Sequence, residues 1–231
     1  MAPTDAASRI AVLFDFGGTL DADGVPWRER FLRLFRDEGV RCGADAFDPA
    51  FHGADDALVG TVPPDLSWRV TVAMLAGGVA RNLGLRDGPL GEKITGRFLS
   101  EAGERLKASA ALLAPLSRRY RLGIVSNFYG NLAAVCREVG LAPYLSVVVD
   151  SAQVGCAKPD PRIFRIALEA VGARPAQAVF VGDSMRRDMA GARQIGMPHI
   201  WLRGQGSSEE GPCCPGDPVV GRLEEVRGML L

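Results

Sequence analysis

The apolar positions of this chain follow two patterns, and the two occupy different stretches. Four short apolar runs each end at a polar residue: residues 10–15 (IAVLFD), 122–127 (LGIVSN), 145–150 (LSVVVD) and 178–183 (AVFVGD). Runs of this length, bounded by turn-forming residues, predict strands covered on both faces. Between the last three runs, apolar residues instead recur at spacings of three and four. Phe128, Leu132, Val135, Cys136 and Val139, closed by Gly140, read as one helix. Asp160-Pro161 reads as an N-cap with proline in the first turn of a second, carrying Ile163, Ile166, Ala167 and Ala170. Strand and helix alternate, which predicts an α/β fold: a doubly wound, mostly parallel, Rossmann-like sheet with helices on both faces. In such a sheet the polar residues at the carboxyl ends of the strands gather into one site.

From residue 21 to 107 no comparable strand run occurs. Helical periodicity over 27–35, 66–83 and 90–106, broken by glycine- and proline-rich turns, predicts a helical insertion. The expected organisation is a core formed by 1–20 and 108–231, with a helical cap over 21–107. Residues 204–218 read as an exposed loop, and 219–231 as a terminal helix with Leu223, Val226 and Leu230 on one stripe.

Composition narrows the functional classes. The chain has 231 residues, enough for a full hydrophobic core, and 27 basic side chains balance 27 acidic ones. Such balance gives no global field to attract nucleic acid or an anionic membrane, so a small-molecule partner is expected. No apolar window of about 20 residues exists to span a bilayer, and the opening MAPTDAASR lacks a secretory apolar run, so a cytoplasmic protein, monomer or homodimer, is expected. Five cysteines without Cys-x-x-Cys spacing, beside only two histidines, read as reduced thiols rather than a zinc site. The vicinal pair Cys213-Cys214 is expected to be reduced and exposed.

The residues that carry chemistry form an ordered set, each group just after a predicted strand: Asp15-Phe16-Gly17-Gly18-Thr19-Leu20, then Ser126-Asn127, then Lys158-Pro159-Asp160-Pro161, then Gly182-Asp183-Ser184 with Asp188. Singly, each has a plainer explanation. Asp15 and Asp183 suit turns, Ser126-Asn127 a helix cap, Lys158 a solvated surface and Asp188 the first turn of a helix. Together they suit phosphoryl transfer, in which anionic oxygens must be neutralised before a carboxylate can approach. Asp183 and Lys158 have the right chemistry for that task. Mg²⁺ takes oxygen ligands, so Asp15 and Asp183 on neighbouring strands, a backbone carbonyl at Gly17, and Asp188 directly or through water would make a site. Ser126, Asn127 and the amides near Gly17 and Gly18 can donate to phosphoryl oxygens, with Thr19 bracing the loop.

In motif, order and spacing this set resembles the haloacid-dehalogenase-like superfamily, with the insertion matching in position only. The resemblance implies a Mg²⁺-dependent phosphatase or phosphotransferase acting on a small phosphorylated molecule. Asp15 would be the nucleophile that forms an aspartyl-phosphate later hydrolysed by water, and Lys158 would assist it. The chain departs from the pattern at one position. Members that hydrolyse phosphate esters usually carry a second aspartate two residues after the nucleophile, as acid and base, and here that residue is Gly17. Glycine cannot move a proton, and such catalysis contributes about 10²–10⁴-fold, so slow turnover of alkyl phosphates is expected. Asp21 and Asp23, the nearest carboxylates, read as linker residues. Three alternatives follow: a weak or inert protein that binds a phosphometabolite; a phosphonatase-like enzyme, opposed by the absence of lysine between residues 20 and 92; and a 2-haloacid dehalogenase, opposed by the metal-binding form of the last motif. In the insertion, His52 reads as part of a loop-like stretch, and Arg28, Arg30 and Arg69 as solvated charges.

Overall fold

The structure, a computed structural model, describes residues 9–85, 88–204, 211 and 216–231. Six parallel strands form one sheet in the order β3-β2-β1-β4-β5-β6. They are β1 (Ala11–Phe14), β2 (Arg121–Ser126), β3 (Val147–Asp150), β4 (Ala178–Gly182), β5 (His199–Leu202) and β6 (Val219–Val220). The four expected strands are all present, and all four residues of β1 are fully buried, as a continuous apolar run demands. The order reverses at β1, which is flanked by β2 and β4, and such a switch point opens a crevice beyond the strand ends. Register carries Asp15, Ser126 and Asp183 to that edge, because Phe14 pairs with both Ile124 and Val181.

Four helices connect β1 to β2: α1 (Trp27–Asp37), α2 (Ala44–Leu58), α3 (Trp68–Asn82) and α4 (Pro89–Leu116). α4 carries the chain without a break across the 107/108 limit expected between insertion and core. The helices also share one hydrophobic cluster with a face of the sheet, where Phe31, Phe47, Phe51, Leu75 and Phe98 join Val12, Phe14 and Ile124. On the opposite face, α7 (Pro161–Ala170) and α8 (Ala190–Gln194) pack Ile163, Phe164 and Ala192 on Leu13 and Phe180. Asp160 caps α7 as expected, its carboxylate accepting from the Arg162 amide at 2.8 Å. The remaining short helices are α5 (Leu132–Glu138), α6 (Ser151–Val154) and α9 (Val226–Leu230).

Three expectations are corrected here. His52 lies not in a loop but on α2, whose buried stripe Phe47, Ala50, Phe51, Ala54, Leu58 has full helical period. Pro49 and Gly53 inside the helix concealed it. The terminal helix is also shorter than 219–231: Val219 and Val220 add a strand beside Trp201 and Leu202, and only Val226–Leu230 is α-helical. Finally, Arg30 is not solvated. It is 4% exposed, donates to Asp21 at 2.7 Å and to the Phe98 carbonyl at 3.2 Å, and lies over the Phe98 ring. Cys42, Cys136 and Cys156 are free thiols, whereas Cys213, Cys214 and most of the expected 204–218 loop lie outside the described residues.

The Asp21–Arg30 pair ties the loop after β1 to α1 and has no access to water on the carboxylate side. Removing one partner of such a pair leaves an uncompensated charge, at a cost of about 3–5 kcal/mol. Arg30→Met is expected to lower stability by that order in urea unfolding. Arg33→Met, which breaks only exposed pairs with Asp37 and Glu101, should cost less than about 1 kcal/mol.

Candidate active site

β1, β2 and β4 deliver three polar side chains to one cleft of about 640 Å³, and the segment before α7 delivers a fourth. Asp15, Ser126, Lys158 and Asp183 all line it, as do Gly17 and Asn127. Lys158 is the hub. Its ammonium, 2% exposed, lies 2.6 Å from Asp15 Oδ1 and 2.6 Å from Asp188 Oδ1. Burial works against the charged form, yet the two carboxylates outweigh it and hold the Lys158 pKa above the ordinary lysine value. Its backbone is gripped as well: the Asn127 carboxamide donates to the Lys158 carbonyl at 3.0 Å and accepts from its amide at 2.7 Å. Asn127, expected to touch substrate, thus spends its side chain on positioning Lys158.

The carboxylates are fixed one by one. Ser126 donates to Asp15 Oδ1 at 2.7 Å. Thr19, expected to brace the loop, does so by donating to Asp183 Oδ1 at 3.1 Å, while the Trp201 indole holds the Asp183 carbonyl at 2.9 Å. Asp188 sits on the wide helical turn Met185–Met189 that leads into α8, fully buried, accepting from the Ser184 amide at 2.9 Å. Oxygens of Asp15, Asp183 and Asp188 all lie within 4.8 Å of one another. Desolvation, then the like charges of Asp15 and Asp188, push the Asp183 pKa well above the carboxylate range. An all-oxygen, charge-crowded trio of this kind fits a hard divalent cation, which relieves the repulsion and supplies no soft-ligand demand.

Gly18 behaves differently from expectation. Gly18, at φ 91°, presents its amide to Asp21 Oδ1 at 2.7 Å, so that N–H is committed inside the loop and is not free for a phosphoryl oxygen. Gly17 is where a Cβ would press on the Trp27 indole nitrogen at 3.2 Å. That indole donates to Asp21 Oδ2 at 2.7 Å and packs edge-on against Phe98 and Phe128. Trp27 therefore stands against the face of Gly17 from which a side chain would emerge. Asp21 is no linker residue but the buried acceptor for Gly18, Trp27 and Arg30; Asp23 accepts from the Leu223 amide at 2.7 Å and pairs with Arg105. Neither lines the cleft.

Sequence reasoning missed the far wall. Asp55, on α2, lines the cleft and accepts a short hydrogen bond from the buried Tyr129 hydroxyl. Arg186 and Arg187 both reach the cleft, as do His52 and Arg28. Arg28 also pairs with Asp48 at 2.7 Å. Asp55 carries no signal of its own in the sequence; only the helical phase of α2 places it one turn beyond Phe51.

A family model described as haloacid dehalogenase-like hydrolase matches residues 11–196. A phosphoserine phosphatase of Thermus thermophilus is 35% identical over 161 residues, covering 60% of this chain and 64% of the relative. A bovine haloacid dehalogenase-like hydrolase domain-containing protein 3 is 35% identical over 127 residues, covering 52% and 51%. The chain thus spans between half and two thirds of the length of these curated relatives. Among solved structures, a HAD phosphatase from Thermococcus onnurineus superposes with a TM-score of 0.59 at 24% identity, covering 96% of this chain and 97% of that one. A dehalogenase captured as an intermediate complex gives 0.66 at 22%, covering 96% of each. At such identities the likeness is one of fold. No helix among the described residues is long and apolar enough to cross a membrane.

At Gly18 an added Cβ would lie 2.4 Å from Asp183 Oδ2. Gly18→Ala is therefore expected to combine a left-handed backbone cost of about 1–3 kcal/mol with displacement of that carboxylate. Gly39→Ala, also at positive φ but with open space around it, should show the backbone cost alone. Each kcal/mol lowers Tm by about 2–4 °C in thermal unfolding. Equal losses in the two variants would show that the Gly18–Asp183 approach imposes no constraint.

Proposed function

The chain belongs to the haloacid dehalogenase-like hydrolases, and we propose that it is a Mg²⁺-dependent phosphatase or phosphotransferase that forms an aspartyl-phosphate on Asp15 and acts on a small phosphorylated molecule. The observation that carries this proposal is the buried Lys158 ammonium bridging Asp15 and Asp188 with Asp183 alongside. Asp15, Asp183 and Asp188, with the Gly17 carbonyl, would hold the ion. When bound, Mg²⁺ supplies charge neutralisation for the phosphoryl oxygens and orients them. The relatives' names, phosphoserine phosphatase among them, support a phosphate ester as substrate class.

The chain's own groups divide the work. Asp15 is held ready by Ser126 and attacks phosphorus through a carboxylate oxygen. Lys158, locked in place by Asn127, meets the charge that accumulates on the phosphoryl oxygens as the leaving group departs. Ser126 can turn its hydroxyl from Asp15 to a phosphoryl oxygen, and Arg187 at the cleft wall offers a further positive charge to the substrate. Gly17 gives the loop no proton donor, so the loop by itself favours leaving groups that depart without one, such as aryl or acyl phosphates. The packing of Trp27 over Gly17 supports a second reading: a protein that binds a phosphometabolite and turns it over weakly or not at all.

Hydrolysis of 4-nitrophenyl phosphate by the purified protein is the test. Turnover should require added Mg²⁺, stop with chelator, and fall by about 10³-fold or more in Asp15→Asn. Tight Mg²⁺-dependent binding of phosphate with no turnover above background would establish the binding reading instead. Halide release from a 2-haloacid in the presence of chelator would overturn both.

A further inference from the structure

The carboxylates that follow Gly17, Asp21 and Asp23, do not line the cleft, but the opposite wall brings Asp55 to it. Asp55 projects from α2 into the cleft that Asp15, Lys158 and Asp183 line from the sheet side. In a displacement at phosphorus, attacking and leaving oxygens lie roughly in line. With Asp15 attacking from the sheet edge, the leaving oxygen faces the helical insertion.

Among the described residues, only the Tyr129 hydroxyl hydrogen-bonds the Asp55 carboxyl, through Oδ1. The second carboxyl oxygen has no hydrogen-bond partner among the described residues. Tyr129 is a well-founded anchor, 4% exposed, three residues beyond Ser126 and packed against Phe128 and Trp27. Its carbonyl also accepts from the Gly60 amide just past α2, so the core loop holds α2 at two points. The charged and titratable groups around Asp55 are Tyr129, Arg187, Asp56 and His52. Burial, the largest influence, raises the Asp55 pKa, while Tyr129 and Arg187 act the other way. A carboxyl held above the ordinary carboxylate value keeps its proton to higher pH than an exposed one and is better suited to giving it up.

We propose that Asp55 is the catalytic acid and base of this site, acting from the helical insertion in the role that Gly17 cannot fill, with Tyr129 as its positioning residue. As Asp15 forms its bond to phosphorus and the bond from phosphorus to the leaving oxygen breaks, the Asp55 proton passes to that oxygen and an alcohol departs. Water then attacks the aspartyl-phosphate; its proton goes to the Asp55 carboxylate, the bond between phosphorus and Asp15 breaks, and phosphate leaves with both aspartates restored. This proposal rests on the phosphoryl-transfer function above and widens it to alkyl esters.

The test compares butyl phosphate with 4-nitrophenyl phosphate in the natural protein, Asp15→Asn, Asp55→Asn, Asp55→Glu and Tyr129→Phe. Asp55→Asn is expected to lose about 10²–10⁴-fold in butyl phosphate turnover and at least about tenfold less on the nitrophenyl ester, whose leaving oxygen needs no proton. Asp55→Glu should regain part of the butyl activity, which a merely structural role would not predict. Tyr129→Phe removes a hydrogen bond that favours the ionised carboxyl, so the falling alkaline limb of kcat/KM for butyl phosphate should move to higher pH. Equal loss on both esters in Asp55→Asn, no loss on either, or a natural protein that cleaves only the aryl ester would overturn the role of Asp55. Absence of turnover on both esters in the natural protein would instead remove the phosphatase function beneath it.

Discussion

The architecture of the site follows from the need to keep one ammonium ion charged in a place with almost no water. Lys158 is 2% exposed on its side chain, and an isolated cation at that depth would surrender its proton. It stays charged because Asp15 and Asp188 each approach to 2.6 Å. Those two carboxylates come from sequence positions 173 residues apart, and a parallel sheet with a switch point at β1 brings their loops together without a long excursion of the chain. The neighbouring residues then act to fix geometry: Asn127 clasps the Lys158 backbone, Ser126 holds Asp15, and Thr19 with Trp201 holds Asp183. Three carboxylates against the ammonium of Lys158 and the guanidinium of Arg187 leave an excess of negative charge, a donor set that suits a divalent cation, and burial together with that crowding pushes the Asp183 pKa upward.

Which features were legible in the sequence depended on how local their cause was. β1 to β4 were readable because strands buried on both faces write themselves as unbroken apolar runs. The polar residues at their ends were readable as a set because the fold converts sequence order into spatial convergence. β5 and β6 were not: Val219–Val220 is two residues long, and His199–Leu202, though as long as β1, opens on a polar histidine directly after Pro198. α2 was hidden by Pro49 and Gly53, residues that break helices on average but sit here in a helix held by Phe47 and Phe51 in the core.

Side-chain commitments were less legible still. Nothing in a sequence says that the Gly18 amide is spent on Asp21, that Asn127 grips a backbone rather than a ligand, or that Arg30 is buried while Arg33, on the same helix, is not. Each depends on a partner far along the chain or on helical phase, and residue type alone carries neither. Asp55 is the clearest case. In a loop it would be one acid among many; on α2 it lines the same cleft as Asp15 from the opposite wall.

Gly17 takes its meaning from this packing. Read from sequence, it is a missing proton-transfer group, an absence. In the structure the face of Gly17 is closely covered: the Trp27 indole nitrogen lies 3.2 Å from where a Cβ would sit, and Asp21 accepts the indole N–H, the Gly18 amide and Arg30 together. A side chain there would press Trp27 toward Phe98, Phe128 and Tyr129, the rings it packs against, and load the hydrogen bond it gives to Asp21. The loop has been rebuilt around glycine, with an aromatic wall in place of a polar one. A drier wall strengthens the electrostatic contacts of Lys158 with the carboxylates beside it, and it leaves proton movement to whatever the opposite wall provides.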